Sequence, residues 1–378
     1  MVKNANLHKA KNAKNDEFYT QLTDVAKELM HYKKHFKDKI VFCNCDDPTW
    51  SAFWKYFHLN FAELGLKKLI STHYDREEAT YKMEYTGGDD NDIEAGLKTP
   101  LEGNGDFRNQ ECLDLLDECD IVVTNPPFSL FREYVAVLME HEKKFLILGN
   151  MNALTYKEIF PLIRDNQLWY GASIHSGDRK FYVPDDYPLK ASGCGIDENG
   201  RRFIRVKGVR WYTNLDYKAR HERLVLWKNY TPEEYPKYDN YDAINVNKYS
   251  EIPCDYDGVM GVPITFINYY CPEQFEIVAF RKGNDGKDLV FTREGEREFN
   301  RTFVSLYDVN SRDDKKRRRK NQWEAYLREN NNQTEIEPID YFYPLSMPIG
   351  GCMNSPKDTM IDGVKKYARI LIREKACV

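Results

Sequence analysis

The sequence predicts an α/β protein: a doubly wound, mostly parallel sheet with a strand-rich C-terminal region. Three observations carry this. Four short apolar runs, at residues 39–45 (KIVFCNC), 67–74 (KKLISTHY), 120–125 (DIVVTN) and 143–150 (KKFLILGN), have the length of buried strands. The stretches between the first two and between the last two, residues 51–64 and 129–141, repeat their apolar residues with helical spacing. Beyond about Tyr170 the apolar runs are separated by Gly, Pro and Asn instead of by helices.

Short buried strands that alternate with helices pair in parallel, because each crossover must carry its helix across a face of the sheet. The first element is a helix over residues 23–36, with Thr23 placed as its N-cap. The four strands and two helices follow. In the later half, strands are expected at KFYVP (180–184), RRFIRVKGVRWYTN (201–214), RLVLW (223–227), VPITFINYY (262–270) and QFEIVAF (274–280). The Pro- and Tyr-rich residues 229–242 mark a boundary or surface excursion.

Composition narrows the class. Of 378 residues, 42% are hydrophobic and 30% charged, values at which a chain buries a core and does not stay disordered. No window holds the roughly 20 apolar residues a membrane span needs, and the polar start is no export signal, so a cytoplasmic protein without membrane contact is expected. Nine cysteines, without CxxC pairs, read as free thiols and not as a metal site. Asp89, Asp90, Asp92 and Glu94 lack the spacing of a calcium loop and read as solvated.

Charge is unevenly placed. Residues 75–120 hold 15 Asp and Glu against 4 Lys and Arg, a net −11 that exceeds the chain's overall −5 and leaves the remainder basic. Arginines and lysines gather over residues 201–228, with Arg201, Arg202, Arg205 and Arg210 at the front, and in KKRRRK at 315–320. Such runs are solvated faces or phosphate contacts.

Parallel sheets bind ligands beyond the carboxyl ends of their strands. Here those ends read CNCDDP, THYD, NPPF and GN. No GxGxxG follows the first strand; Asp46, Asp47 and Pro48 stand there, and acids repel a diphosphate. A cofactor with a ribose and a cationic amino-acid tail, such as S-adenosylmethionine, suits acidic strand ends. Asp75 ends the second strand, where an acid holds ribose hydroxyls, and Asp106 with Phe107 suits an adenine amino group and ring. An exocyclic amino nitrogen is a poor nucleophile until its hydrogens are accepted. The Asn125 side-chain oxygen and the Pro126 carbonyl offer two acceptors, Pro127 stiffens the turn, and Phe128 offers a stacking face. These residues point to amino methylation.

At residues 125–128 the sequence resembles the amino-methyltransferases, whose motif reads Asn/Asp/Ser-Pro-Pro-aromatic. More narrowly, KNDEFYTQ (14–21), CNCDDPTWSAFWKYF (43–57), GDFRNQE (105–111), TNPPFSLFREY (124–134), GVRWYTNLD (208–216) and GVPITFINYYCPEQFEI (261–277) are similar to the EcoRI-type adenine-specific DNA methyltransferase family. The resemblance implies a Rossmann-like methyltransferase sheet, S-adenosylmethionine as cofactor, and N6 methylation of an adenine flipped out of duplex DNA. It implies that Phe18, Tyr19 and Thr20 help to hold the methionine end of the cofactor. Asp47 and Pro48 match the family class's first motif, with Ser51 and Phe53 where it has glycines.

The resemblance further implies residues 1–175 as the cofactor-binding and catalytic domain, and residues 176–378 as the remaining strands plus a target-recognition region. There Arg201, Arg202, Arg205, Arg210, Lys315, Arg317 and Arg318 are the expected phosphate contacts. Trp211 and Tyr212 stack near the base or fill a strand core. A monomer is expected, with room for a cognate restriction endonuclease. Two alternatives stay open: methylation of an amino group on RNA or on a protein glutamine, and a DNA-binding relative that has lost catalysis.

Overall fold

The computed structural model describes residues 19–75, 79–185, 187–190, 192–238, 241–280, 314–342, 359–361, 364–366 and 369–376. Two compact units divide between Glu222 and Arg223. The strands of the first unit are β1 (Ile40–Cys43), β2 (Lys68–Thr72), β3 (Tyr81–Tyr85), β4 (Leu97–Pro100), β5 (Ile121–Thr124), β6 (Lys144–Asn150), β7 (Trp169–Tyr170), β8 (Asp178–Tyr182), β9 (Gly195–Ile196), β10 (Arg202–Lys207) and β11 (Val209–Thr213). Its helices are α1 (Leu22–Leu29), α2 (Ala52–Leu59), α3 (Phe61–Leu64), α4 (Gln110–Glu118), α5 (Phe131–Glu140) and α6 (Phe160–Arg164).

Eight strands form the main sheet in the order β4-β3-β2-β1-β5-β6-β11-β7. The central block β2-β1-β5-β6 is parallel, and it is built from the four apolar runs. Strands β1 and β5 are buried along their whole length, which is why they read as continuous hydrophobic runs without alternation. The order reverses between β1 and β5: β1 leads outward to β2 on one side, and β5 leads to β6 on the other.

Strand β11 pairs antiparallel with β6, and β7 antiparallel with β11. That register sets the extent of the unit. A cut at residue 175 falls inside it, because β11 supplies the hydrogen-bonding partner of β6. Strands β8, β10 and β9 make a separate small antiparallel sheet.

The opening helix is capped two residues earlier than the sequence suggests. Gln21 is the N-cap of α1, Thr23 lies within the first turn, and a separate 3-10 turn at Lys33–His35 follows. Helix α2 has Ser51 at its N-cap, whose hydroxyl accepts from the Phe53 and Trp54 amides. Phe36 meets Phe57 edge-on, and Phe53 meets Trp211 in the same way, so aromatic residues form much of this core.

The second unit contains β12 (Ala243–Asn245), β13 (Val259–Pro263), β14 (Phe275–Ala279), α7 (Asp314–Glu329), α8 (Pro338–Phe342), β15 (Met360–Ile361), β16 (Val364–Lys365) and β17 (Arg369–Glu374). Its sheet runs β12-β13-β17-β14. Two expected strands are absent from it. Residues 223–227 form no ladder, and the segment after β13 coils into a 3-10 helix, Ile264–Tyr269, that buries Phe266 and Ile267. In the Tyr-rich stretch at 229–242, residues 231–234 are exposed, whereas Tyr235, Tyr238 and Tyr241 are buried and anchor it.

Candidate active site

The loop after β1 is built by its own acids. Cys45 turns the chain at φ +58°, a left-handed conformation, with its amide held by Thr72 at 3.1 Å. Asp47 then organises the turn. Its Oδ1 accepts from the Thr49 amide (2.8 Å), the Thr49 hydroxyl (2.7 Å) and the Tyr81 hydroxyl (2.8 Å), and Oδ2 lies 2.9 Å from His73 Nδ1. Burial pushes the Asp47 carboxyl up, but these donors outweigh it and hold the group well below the usual carboxylate range. Pro48 is buried behind it.

Asp46 faces inward. Ser51 Oγ donates to its Oδ1 at 3.2 Å, Thr124 Oγ1 contacts its Oδ2, and the Asn125 N–H also donates to the carboxyl group. Burial pushes this acid up to about 7 against those donors, with neighbouring Asp47 adding to the rise. The strand-end acids are therefore both engaged by protein groups.

Asp75, half-buried at the end of the β2 run, donates its amide to the Asn104 carbonyl at 3.2 Å. That bond brings the 104–107 loop to the strand ends, where the Gly105 carbonyl also meets Cys45 Sγ at 3.7 Å. Asp106 forms a two-pronged pair with Arg108, whose Nε and Nη2 lie 2.8 and 2.7 Å from its oxygens. A carboxylate has about four lone-pair sites, so this pairing leaves capacity for a further donor. Phe107 is buried, edge-on to Tyr134 at 4.9 Å.

Strand β5 ends at the buried Thr124, and the chain leaves it through Asn125. The Asn125 side-chain oxygen and Pro126 are buried, whereas Pro127 and Phe128 are half-buried. Pro127 is extended (φ −54°, ψ 124°) and its carbonyl accepts from Leu130, which begins the turn into α5. Phe128 packs against the aromatic core. The turn is thus fixed on both sides: by Asp46 at its start and by the helical turn at its end.

Of the N-terminal element, Phe18 lies outside the described residues. Tyr19 pairs with Tyr182 of β8, and its ring lies tilted against Trp50 of the β1 loop, with ring centroids 3.9 Å apart. The Thr20 hydroxyl is buried without a hydrogen-bond partner among the described residues. An orphaned buried hydroxyl beside acid-lined strand ends fits the carboxylate tail of S-adenosylmethionine. No phosphate-cradling glycine turn competes with that reading.

The basic candidates separate. Arg201 lies over the Tyr182 ring at 3.7 Å and Arg205 pairs with Asp178 at 3.3 Å, both largely exposed. Arg202 donates to the Tyr187 carbonyl at 3.1 Å. Arg210 does not reach the surface: it is 4% exposed, and its guanidinium donates to the carbonyls of Val209 and His175, both at 2.7 Å. Trp211 and Tyr212 are strand-core residues. The side chains of Lys315, Arg317 and Arg318, on α7, lie outside the described residues.

Sequence reasoning missed His73, Tyr81 and Thr124, which hold the acids, Ser71, which holds the Asp46 carbonyl, and Glu28, which is 0% exposed. Only Thr124 carried a signal, its place directly before Asn125.

A parallel block with an order reversal at β1/β5, an acid-built loop after β1 and Asn-Pro-Pro-Phe after β5 is the layout of a Rossmann-like methyltransferase. The family model described as adenine-specific methyltransferase EcoRI matches residues 6–375. The chain belongs to this family. It is 50% identical over 306 residues to the type II methyltransferase M.EcoRI of Escherichia coli, covering 76% of this chain and 94% of that protein. It is 42% identical over 275 residues to the type II methyltransferase M.MpnI of Mycoplasma pneumoniae, covering 72% and 84%. No solved structure matches. Among the described residues no helix is long and apolar enough to cross a membrane.

Proposed function

We propose that the chain methylates the N6 amino group of an adenine flipped out of a specific duplex DNA site, with S-adenosylmethionine as donor, as the modification half of a restriction-modification system. The observation that carries this is the turn at residues 125–128, anchored at the carboxyl end of β5 beside the switch between β1 and β5. Bound there, S-adenosylmethionine supplies an electrophilic methyl group on a good leaving group.

The protein supplies position. Thr20 would receive the cofactor's carboxylate, Asp75 its ribose hydroxyls, and Asp106 with Phe107 its adenine. The Asn125 side-chain oxygen and the Pro126 carbonyl accept the two hydrogens of the target amino group, which favours a pyramidal nitrogen with an available lone pair. Pro127 prevents the turn from relaxing, and Phe128 backs the flipped base. Alignment of the two groups supplies much of the rate. Arg201, Arg202 and Arg205, together with α7, are the proposed phosphate contacts, and the residues after 222 the proposed target-recognition region.

The test is incubation with S-adenosylmethionine and unmethylated genomic DNA, then digestion and quantitation of N6-methyladenine. Wild type is expected to produce it and Asn125→Ala to lose it. Cofactor binding without N6-methyladenine from either protein would refute the substrate assignment.

A further inference from the structure

Resting on the reading above, the geometry points to Asp46 as a positioning residue of methyl transfer and not a cofactor ligand: a protonated, buried carboxyl group that ties the end of β1 through Thr124 to the first residue of the 125–128 turn.

The carboxyl group joins three elements. Ser51, at the N-cap of α2, donates to Oδ1 at 3.2 Å. Thr124, at the end of β5, contacts Oδ2, and the Asn125 amide donates to the same group. The Asp46 carbonyl in turn accepts from Ser71 of β2.

The hydrogens available favour the protonated form. Thr124 has one hydroxyl hydrogen and two close acceptors, the Asn44 carbonyl at 2.6 Å and Asp46 Oδ2. If Asp46 is ionised, one of these oxygen pairs has no hydrogen between its members. If Asp46 carries a proton, Oδ2–H donates to Thr124 and Thr124 donates to Asn44, and every contact is satisfied. Burial favours the same form, and the acid sits at about 7. The titratable groups that face it are Asp47, Cys43, Cys45 and Tyr134, none of which is a cation that would hold it ionised.

The consequence reaches the reacting atoms through Asn125. Its backbone is held by Asp46 while its side-chain oxygen accepts a hydrogen of the target amine, so a slack link displaces the acceptor.

Single-turnover methyl transfer by the full-length chain tests this, with S-adenosylmethionine affinity and urea midpoints measured alongside. Thr124→Val keeps the shape and removes the link. Its transfer rate is expected to fall about tenfold, with cofactor affinity held within about threefold, and Thr124→Ser to restore the rate. Asp46→Asn keeps a hydrogen donor toward Thr124 at every pH, so the ratio of the wild-type rate to the D46N rate falls as pH rises through about 7.

The proton is also visible without catalysis. A carboxyl raised in the fold stabilises fully below its unfolded pKa and loses that stabilisation as pH climbs through its folded value. The wild-type urea midpoint, relative to that of D46N, therefore falls between about pH 4 and pH 7 and is flat above. A T124V enzyme with the wild-type rate, or a midpoint difference that does not change with pH, overturns the proposal. Loss of cofactor affinity in D46N without the midpoint change makes Asp46 a cofactor ligand instead. If the midpoints titrate as expected but wild type makes no N6-methyladenine, the substrate reading has failed while the protonated link stands.

Discussion

Glu28→Gln isolates the bond that fixes the start of the chain to the sheet. Glu28, on α1, is completely buried, and burial pushes its carboxyl above the usual range against the donors around it. Oε1 accepts from the Ala172 amide at 2.7 Å and from the Tyr32 hydroxyl at 2.9 Å, and Oε2 from the Ser173 amide at 2.7 Å. Space is as tight as the bonding, because a Cβ at Gly171 would lie 2.2 Å from Glu28 Oε1 and 2.5 Å from the Trp211 Cβ. Glutamine fits the same volume but turns one oxygen into an NH2 that faces a backbone N–H. The variant loses one hydrogen bond and strands a buried donor, a cost of about 3 kcal/mol after the relief of burying a charge is offset. With a urea m value of about 3 kcal/mol/M, the midpoint falls by about 1 M. Because the wild-type carboxyl is raised in the fold, its contribution is full at low pH and is lost as pH rises, so the gap between the proteins narrows upward. A midpoint unchanged at low pH would refute the reasoning, since it would mean that the two amides have other acceptors.

Three further outcomes follow. Gly105→Ala puts a Cβ 2.3 Å from the His73 carbonyl oxygen at a residue with φ +74°; it should lift the 104–107 loop and weaken S-adenosylmethionine binding by at least about tenfold, measured by equilibrium dialysis. Asp47→Asn should flatten acid unfolding: the lowered carboxyl stabilises the fold above its unfolded pKa of about 3.9, and wild type loses that stabilisation as pH falls below it, a limb the variant lacks in circular-dichroism titrations. Replacing Arg201 and Arg205 together by alanine should lower the salt-dependence slope of DNA binding by up to about 2, with cofactor affinity unchanged, in fluorescence anisotropy across a salt series.

Much of the fold was legible because β1 and β5 are buried along their whole length and β2 and β6 over most of theirs, and burial writes itself into sequence as short apolar runs. Two failures have the same cause, tertiary context overriding a local pattern. RLVLW alternates like a strand, yet Val225 and Trp227 are 85% and 66% exposed, and the Leu224 amide and carbonyl bond to the side chain of Gln274 in place of a strand. ITFINYY has strand propensity, yet it winds into a 3-10 helix that seats Phe266 in the core. Arg210 reads as surface charge by composition, and only the three-dimensional placement of the His175 carbonyl shows that it is spent inside.

The strand-end acids were legible in position and not in direction. Acids at strand ends are visible in the sequence; which way each carboxylate points is decided by partners far along the chain. Tyr81 comes to Asp47 from 34 residues away, and Thr124 to Asp46 from 78. Those partners change the chemistry of the acids. Counted from sequence, Asp46 and Asp47 are two negative charges awaiting a cationic cofactor. In the fold, one is held as an ion by four donor contacts and the other is raised to the edge of neutrality by burial. Under the proposed function, the electrostatic attraction for the cofactor would then rest on Asp75 and on what Arg108 leaves of Asp106. The two acids after β1 serve to hold a glycine-free loop in shape, which explains how this chain dispenses with the glycines that such a turn would otherwise require.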